Sequence, residues 1–319
     1  MTLSAHPLPA DGGYGALHTG AGARIVRRDV LSVTGPEALD YLQGQCSQDL
    51  ATLAVGATTE ALILSPQGKV DAWVRVTRTG DEAFVLDADP GCGPAARARL
   101  ERFKLRTKVT IEPLDWGCLS VRGPAAGPDI RPDGVELVLS VEVPGWTGLD
   151  LLGPVPAGDP DLVSWLPAGA RWSSSEAWDA ARIEAGVPMG GREVTEATIP
   201  AEAGLVERTV SFTKGCFTGQ ELVARLDARG SNVARRLTGL VIPGDDRPPV
   251  GASVWTVDGE HEAGTLTSAA WSPAHGAVVA LATLHRRVTP PEAVEIRWDG
   301  DRTHAVPGMA RPLPLGHRA

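Results

Sequence analysis

Beyond Gly230 the chain breaks into short β-prone runs at close, regular intervals, and few folds accommodate that pattern. The runs are Leu237–Ile242, Ser253–Val257, Ala263–Thr267, Val278–Leu284 and Ala293–Trp298. Pro243-Gly244, Asp258-Gly259 and Asp299-Gly300 punctuate them. Asp-Gly pairs supply the positive φ angles of tight hairpin turns. Short strands joined this way have exposed edges unless the sheet closes on itself. The expectation is a small antiparallel β-barrel over 233–319, with a domain boundary at about 230–236.

The preceding stretch mixes helix and strand signals. Pro36 suits a first helical turn and Gly44 its end, which predicts a helix over Glu37 to Leu42. Ala61–Leu64, the turn Ser65-Pro66-Gln67-Gly68 and Val70–Thr77 read as a hairpin, with Val70, Ala72, Val74 and Val76 on one face. A strand over Ala83–Leu86, a helix from Pro94 to about Phe103, and strands at Lys108–Ile111 and Cys118–Val121 follow. Leu137–Val143 and Leu149–Leu152 read as further strands. Ser173 and Glu176 form a capping box for a helix that ends before Gly186. This order predicts an α+β body with antiparallel sheet.

Length and composition bound the function classes. At 319 residues the chain can hold two or three domains. A net charge of −9 argues against a large nucleic-acid-binding face, leaving room only for a local basic groove. Cys46, Cys92, Cys118 and Cys216 have no CxxC spacing and read as free thiols of a reducing compartment. No zinc or iron–sulfur site within the chain is expected. Residues 1–22 are rich in Gly, Pro, Ala and His, lack the form of a signal peptide, and are expected to be flexible. No run approaches the ~18 apolar residues of a membrane span. The expected location is the cytoplasm.

One octapeptide concentrates reactive groups: Lys214-Gly215-Cys216-Phe217-Thr218-Gly219-Gln220-Glu221. Thr218 and Glu221 read as a capping box for a following helix with Leu222, Val223, Ala224 and Leu226 on its apolar face. Cys216 would then lie just outside a helix N-terminus, where the dipole and Lys214 favour a thiolate. The chain has only four lysines, at 69, 104, 108 and 214, and otherwise uses arginine. A bland reading stands beside this one: a small buried cysteine, a capping Glu221 and turn-shaping glycines. The spacing of the whole run favours function. Glu184 is a second oddity, a carboxylate in the last turn of a helix, where the dipole opposes it. Solvation or pairing with Arg182 would explain it, as would an outside donor.

The octapeptide, followed by Val223-Ala224-Arg225 and Arg229-Gly230, resembles the signature of the YgfZ-type folate-binding proteins. These are a branch of the glycine-cleavage T-protein (aminomethyltransferase) superfamily. Gly35-Pro36 through Gln45 and Asp49, Leu64–Lys69, Arg102–Arg106, Arg182–Pro188 and Ile199–Leu205 are similar to family segments in the same order. The resemblance implies a two-lobed T-protein-like folate-binding body around a central hole that holds a tetrahydrofolate or a one-carbon derivative, with the C-terminal barrel appended. The lobes would span about 23–115 and 116–232. It implies Cys216 and Lys214 as the reactive pair. It implies Glu184 as acceptor for the pterin, with Gln220, Glu221 and Trp73 at the site and Arg225 and Arg229 facing the glutamyl carboxylates. T-proteins carry an Asp-Asp pair on the hairpin strand, where this chain has Ala72-Trp73. Asp71 is displaced by one residue and recovers a role only if the strand bulges.

The resemblance thus implies an accessory factor for assembly or repair of iron–sulfur enzymes, including tRNA-modifying ones. Its partners would be folate and client proteins, without direct nucleic-acid or membrane contact, and it would act as a monomer. A folate-dependent one-carbon transferase and a client-binding chaperone module are the alternatives.

Overall fold

The computed structural model describes residues 8–127, 131–156, 159–228, 230, 232–300 and 303–316. The chain forms two compact units, each built from separated stretches. One, the barrel unit, comprises Met1–Val26, Gly117–Pro188 and Ala234–Ala319. The other, the octapeptide unit, comprises Arg27–Trp116 and Met189–Val233. The stretch 116–232, read from sequence as one lobe, is therefore divided between both units. Backbone bonds fix the later part in its unit: Val70 N–H donates to Thr198 O and Ser211 N–H to Ser47 O.

The barrel unit opens with α1 (Tyr14–Thr19) and β1 (Gly22–Val26). The octapeptide unit follows with β2 (Asp29–Thr34), α2 (Ala38–Gln45), β3 (Thr58–Leu64), β4 (Val70–Gly80), β5 (Ala83–Ala88), α3 (Gly93–Lys104) and β6 (Thr110–Leu114). The barrel unit resumes with β7 (Gly117–Arg122), β8 (Leu137–Val141), β9 (Gly148–Gly153), β10 (Arg171–Trp172) and α4 (Ser175–Glu184). Next come α5 (Val206–Thr209) and α6 (Gln220–Asp227) of the octapeptide unit. Last are β11 (Arg235–Ile242), β12 (Ser253–Thr256), β13 (Glu262–Ser272), β14 (Ala277–His285), β15 (Glu292–Asp299) and β16 (Thr303–Arg311).

The octapeptide unit is built on a five-stranded sheet in the order β3-β4-β5-β2-β6. One face packs against α2 and α3 through Leu42, Phe84, Leu86 and Leu100. Neither helix has a side-chain N-cap of its own. Burial of each large apolar side chain contributes about 1.5–3 kcal/mol, more than a cap, so packing holds these helices. The opposite face carries Leu62, Leu64 and Val70, which cluster with Val223 of α6. The strict alternation expected along β4 is broken. Leu64 pairs with Val70 and Ile63 with Ala72, leaving Asp71 as the extra residue of a β-bulge. Val70 therefore shares a face with Trp73, while Ala72, Val74 and Val76 line the other.

In the barrel unit, β10-β1-β7-β9-β8 form one sheet and β11-β14-β13-β12-β15-β16 close into a barrel. β16 escaped the sequence reading because Pro307 and Gly308 interrupt it. Both are tolerated because β16 pairs with β15 throughout but with β11 only over 309–311. The N-terminal segment also differs from expectation, since residues 14–19 are helical. The Asp11 carboxylate accepts from Gly13 N–H at 3.0 Å and Gly15 N–H at 2.7 Å, and Tyr14 and Leu17 are buried. The capping box expected on α4 does not form. Ser174, not Ser173, caps the helix by accepting from Ala177 N–H, and Glu176 pairs with Arg247.

Candidate functional site

Helix α6 starts at Gln220 with Gly219 as N-cap, φ +80°. The Thr218–Glu221 capping box does not form. Instead the Gln220 side chain reaches back and its Oε1 accepts from Phe217 N–H at 3.3 Å. Two glycines explain how the loop is seated. A Cβ at Gly219 would stand 2.5 Å from the Ser65 carbonyl oxygen, and one at Gly68 2.8 Å from Leu222 Cβ. The β3–β4 turn and the start of α6 can approach this closely only as glycines. Phe217 anchors the loop in the apolar layer with Leu62, Leu64 and Val223.

Lys214 holds the other end. Its Nζ donates to the carbonyls of Gln43 at 2.6 Å, Cys46 at 2.7 Å and Gln48 at 2.9 Å. Three ammonium protons meet three carbonyls at the C-terminal end of α2, where a cation also complements the dipole. Desolvation lowers the Lys214 pKa. Ser47 reinforces the seam: its Oγ donates to Thr209 O at 2.6 Å and accepts from Leu62 N–H at 2.8 Å. Burial pushes the Cys46 thiol up to about 12, tempered by Lys214, so Cys46 stays protonated at neutral pH. Between these anchors Cys216 is exposed, and a Cβ at neighbouring Gly215 would meet nothing within 4 Å.

The remaining candidates divide sharply. Glu221 and Arg225 are exposed on α6, and among the described residues neither makes an ion pair. Arg229 lies outside the described residues. Trp73 is committed: its Nε1 donates to Glu60 Oε2 at 3.0 Å, Arg208 pairs with Glu60 at 2.9 Å, and the Arg208 guanidinium lies 4.8 Å from the indole centroid. The bulged Asp71 accepts from Arg99 Nε at 3.1 Å, and Arg99 also bonds Gln45 Oε1 and Leu64 O.

Glu184, in the barrel unit, is 6% exposed. The Tyr14 hydroxyl donates to its carboxylate, 2.8 Å from Oε1 and 2.9 Å from Oε2, and His18 Nε2 lies 3.3 Å from Oε2. Burial alone would raise this carboxyl. Hydrogen bonds from His18, Ser272 and Tyr14 outweigh it and hold the pKa below its ordinary value. Tyr14 and His18 are the donors that the awkward helix position of Glu184 called for. They were missed because they lie in the segment read as flexible, although their i,i+4 spacing puts both on one helix face.

Residues 235–313 match the glycine cleavage T-protein C-terminal barrel domain. Over 304 residues the chain is 29% identical to the tRNA-modifying protein YgfZ of Pectobacterium carotovorum subsp. carotovorum, an alignment covering 89% of this chain and 88% of that protein. The Escherichia coli K12 protein of the same name is 27% identical over 299 residues, 86% and 89% of the two chains. The chain belongs to the YgfZ branch of the glycine-cleavage T-protein superfamily. An uncharacterized protein of Haemophilus influenzae is 31% identical over 211 residues, 65% of this chain and 69% of that one. The fold matches that of glycine cleavage system aminomethyltransferase T from Bartonella henselae with a TM-score of 0.80 at 21% identity, covering 98% of this chain and 90% of that one.

Within this YgfZ-type chain, several of the side chains assigned to folate bond protein groups. A pterin needs acceptors and donors with free valences. The Glu184 carboxylate, the Trp73 N–H and the Gln220 amide oxygen are already bonded to protein groups. Cys216, Glu221 and Arg225 are the assigned residues that remain presented to solvent.

Proposed function

We propose that this protein is an accessory factor in tRNA modification whose working group is the Cys216 thiol, displayed on a rigid loop. The observation that carries the reading is the contrast within the octapeptide. Lys214, Phe217, Gly219 and Gln220 are all anchored, while Cys216 between them is exposed. Fixing a loop on both sides of an exposed thiol presents it to a partner at little further ordering cost. The names of the relatives support the link to tRNA modification.

Iron–sulfur enzymes are the proposed client class. A thiolate is a soft ligand suited to iron or to a sulfur species. Among the described residues no group of three or more His, Cys, Asp or Glu is placed to hold a metal. Cys216 therefore supplies one ligand, and a client must supply the rest. Lys214 acts as the anchor of the loop. Tetrahydrofolate is proposed as the ligand on the strength of the T-protein fold. The one-carbon transferase alternative is weakened by Asp71, whose carboxylate is tied to Arg99.

Two experiments test this. Calorimetric titration of the reduced protein with tetrahydrofolate and 5-formyl-tetrahydrofolate, with Glu184→Ala alongside, tests the folate part. Saturable binding that weakens in Glu184→Ala is expected; no binding by the wild-type protein removes folate from the proposal. Formation of methylene-tetrahydrofolate from tetrahydrofolate and an S-aminomethyl thiol, with release of the thiol and ammonia, would restore the transferase. The Cys216 part is tested by the tRNA nucleosides of cells carrying Cys216→Ser.

A further inference from the structure

The cations of this acidic chain are unevenly placed. Between 97 and 108 stand six, Arg97, Arg99, Arg102, Lys104, Arg106 and Lys108, against one acid, Glu101. Six less one leaves +5 on twelve residues of a chain whose net charge is −9. Two of the six are committed, Arg99 to Asp71 and Lys104 to Glu101, each at 3.1 Å. Arg97, Arg102, Arg106 and Lys108 are exposed, and among the described residues none has an ion-pair partner. The C-terminal dipole of α3 accounts for Arg102 and Lys104 in its last turn. It does not account for Arg97, further back, or for Arg106 and Lys108 beyond the helix.

The second observation is apolar. Leu105 ends α3 at φ +47°, ψ −112°, a backbone that a leucine adopts only at a cost, and it is 87% exposed. Phe103, also exposed, lies between two guanidinium groups, Arg99 at 3.7 Å and Arg102 at 5.6 Å from its centroid. The fold itself gains little from an exposed leucine held this way among unpaired cations.

We propose that the exit of α3, with Arg97, Arg102, Arg106 and Lys108 around Phe103 and Leu105, is a docking surface for the phosphate backbone of RNA. The inference takes from the reading above only that tRNA is the nucleic acid at hand, and it depends on neither folate nor Cys216. Three of the four exposed cations are arginines, whose planar fork engages two phosphate oxygens at once and whose plane stacks on bases. A membrane suits the surface less well, because the apolar face of α3, Ala96 and Leu100, is already buried in the core. A protein partner would have to be an acidic one, and polyglutamate stands for it in the test below. The acids elsewhere do not cancel the local field, which is screened over about 8 Å at physiological salt.

The test is fluorescence anisotropy of an unmodified tRNA transcript titrated with the full chain at several salt concentrations. Wild type is compared with Arg97→Glu/Arg102→Glu/Arg106→Glu, the milder triple change to Gln, Leu105→Ser, and a control on the barrel, Arg235→Glu/Arg236→Glu/Arg287→Glu. Saturable binding by wild type is expected, with at least a tenfold loss in the first triple variant. The slope of log affinity against log salt should fall by roughly 2, at about 0.7–0.9 per lost phosphate contact. The barrel control should bind within twofold of wild type. Absence of saturable binding, full binding by both triple variants, or an equal loss in the barrel control would overturn the proposal. So would tighter binding to phosphatidylglycerol vesicles or polyglutamate than to tRNA. If only this inference fails, the Cys216→Ser nucleoside phenotype persists; if only the functional reading fails, tRNA binding persists without that phenotype.

Discussion

Glu184 and Lys214 are both charged side chains largely removed from water, and their surroundings resolve that problem in different ways. Glu184 is a last-turn carboxylate whose oxygens are met by a tyrosine hydroxyl and a histidine from α1. Lys214 is met by three backbone carbonyls at the exit of α2. In the first arrangement the carboxylate is held by two side chains of one helix, α1. The second is an anchor with an exposed thiol two residues away. A buried charge with its valences filled stabilises the fold around it. An anchored loop beside an exposed thiol is where the proposed chemistry would meet a partner. The octapeptide therefore carries the functional reading, and the Glu184 cluster ties α1 to α4.

Removing Lys214 should have the largest effect on stability. Lys214→Met leaves three carbonyls without their donor and should cost about 2–4 kcal/mol, read from urea unfolding. A cost below about 0.5 kcal/mol would mean that the ammonium is not the anchor. Gly219→Ala comes next, at about 1–3 kcal/mol, because a Cβ meets the Ser65 carbonyl and φ is +80°. Gly215→Ala, four residues earlier in the same loop, should stay within about 0.5 kcal/mol. Equal effects at the two glycines would contradict the seating of the loop against the hairpin.

Tyr14→Phe should cost about 1–2 kcal/mol at pH 7. Its pH dependence sharpens the comparison. Glu184 has a carboxyl pKa depressed by its donors, so its contribution is present above the ordinary carboxyl pKa and disappears as pH falls through the folded value. The difference between wild type and Tyr14→Phe should therefore shrink as pH is lowered from 7 to below 4. A difference independent of pH would mean that Tyr14 acts by packing alone.

Much of this was legible in the sequence for identifiable reasons. The barrel strands show through their Asp-Gly turns, and α3 through Pro94 at its start. The octapeptide stands out because each residue type there is scarce or special. Legibility ended where a long-range contact decides the outcome. Which glycine caps α6 depends on the hairpin that it meets, and the carbonyls that hold Lys214 lie more than 160 residues earlier in the chain. The bulge at Asp71 shifts the face of Val70, which simple alternation cannot foresee. Tyr14 and His18 were hidden by a Gly-rich segment whose helix is set by the Asp11 side chain.

The most direct test of the account compares the tRNA nucleosides, by mass spectrometry, of cells whose copy of this gene is wild type, deleted or Cys216→Ser, with the unfolding curve of each purified protein. The account predicts that Cys216→Ser unfolds within about 0.5 kcal/mol of wild type, as an exposed side chain should, yet gives the nucleoside profile of the deletion. A wild-type profile in Cys216→Ser cells would contradict it and leave the octapeptide as a structural seam.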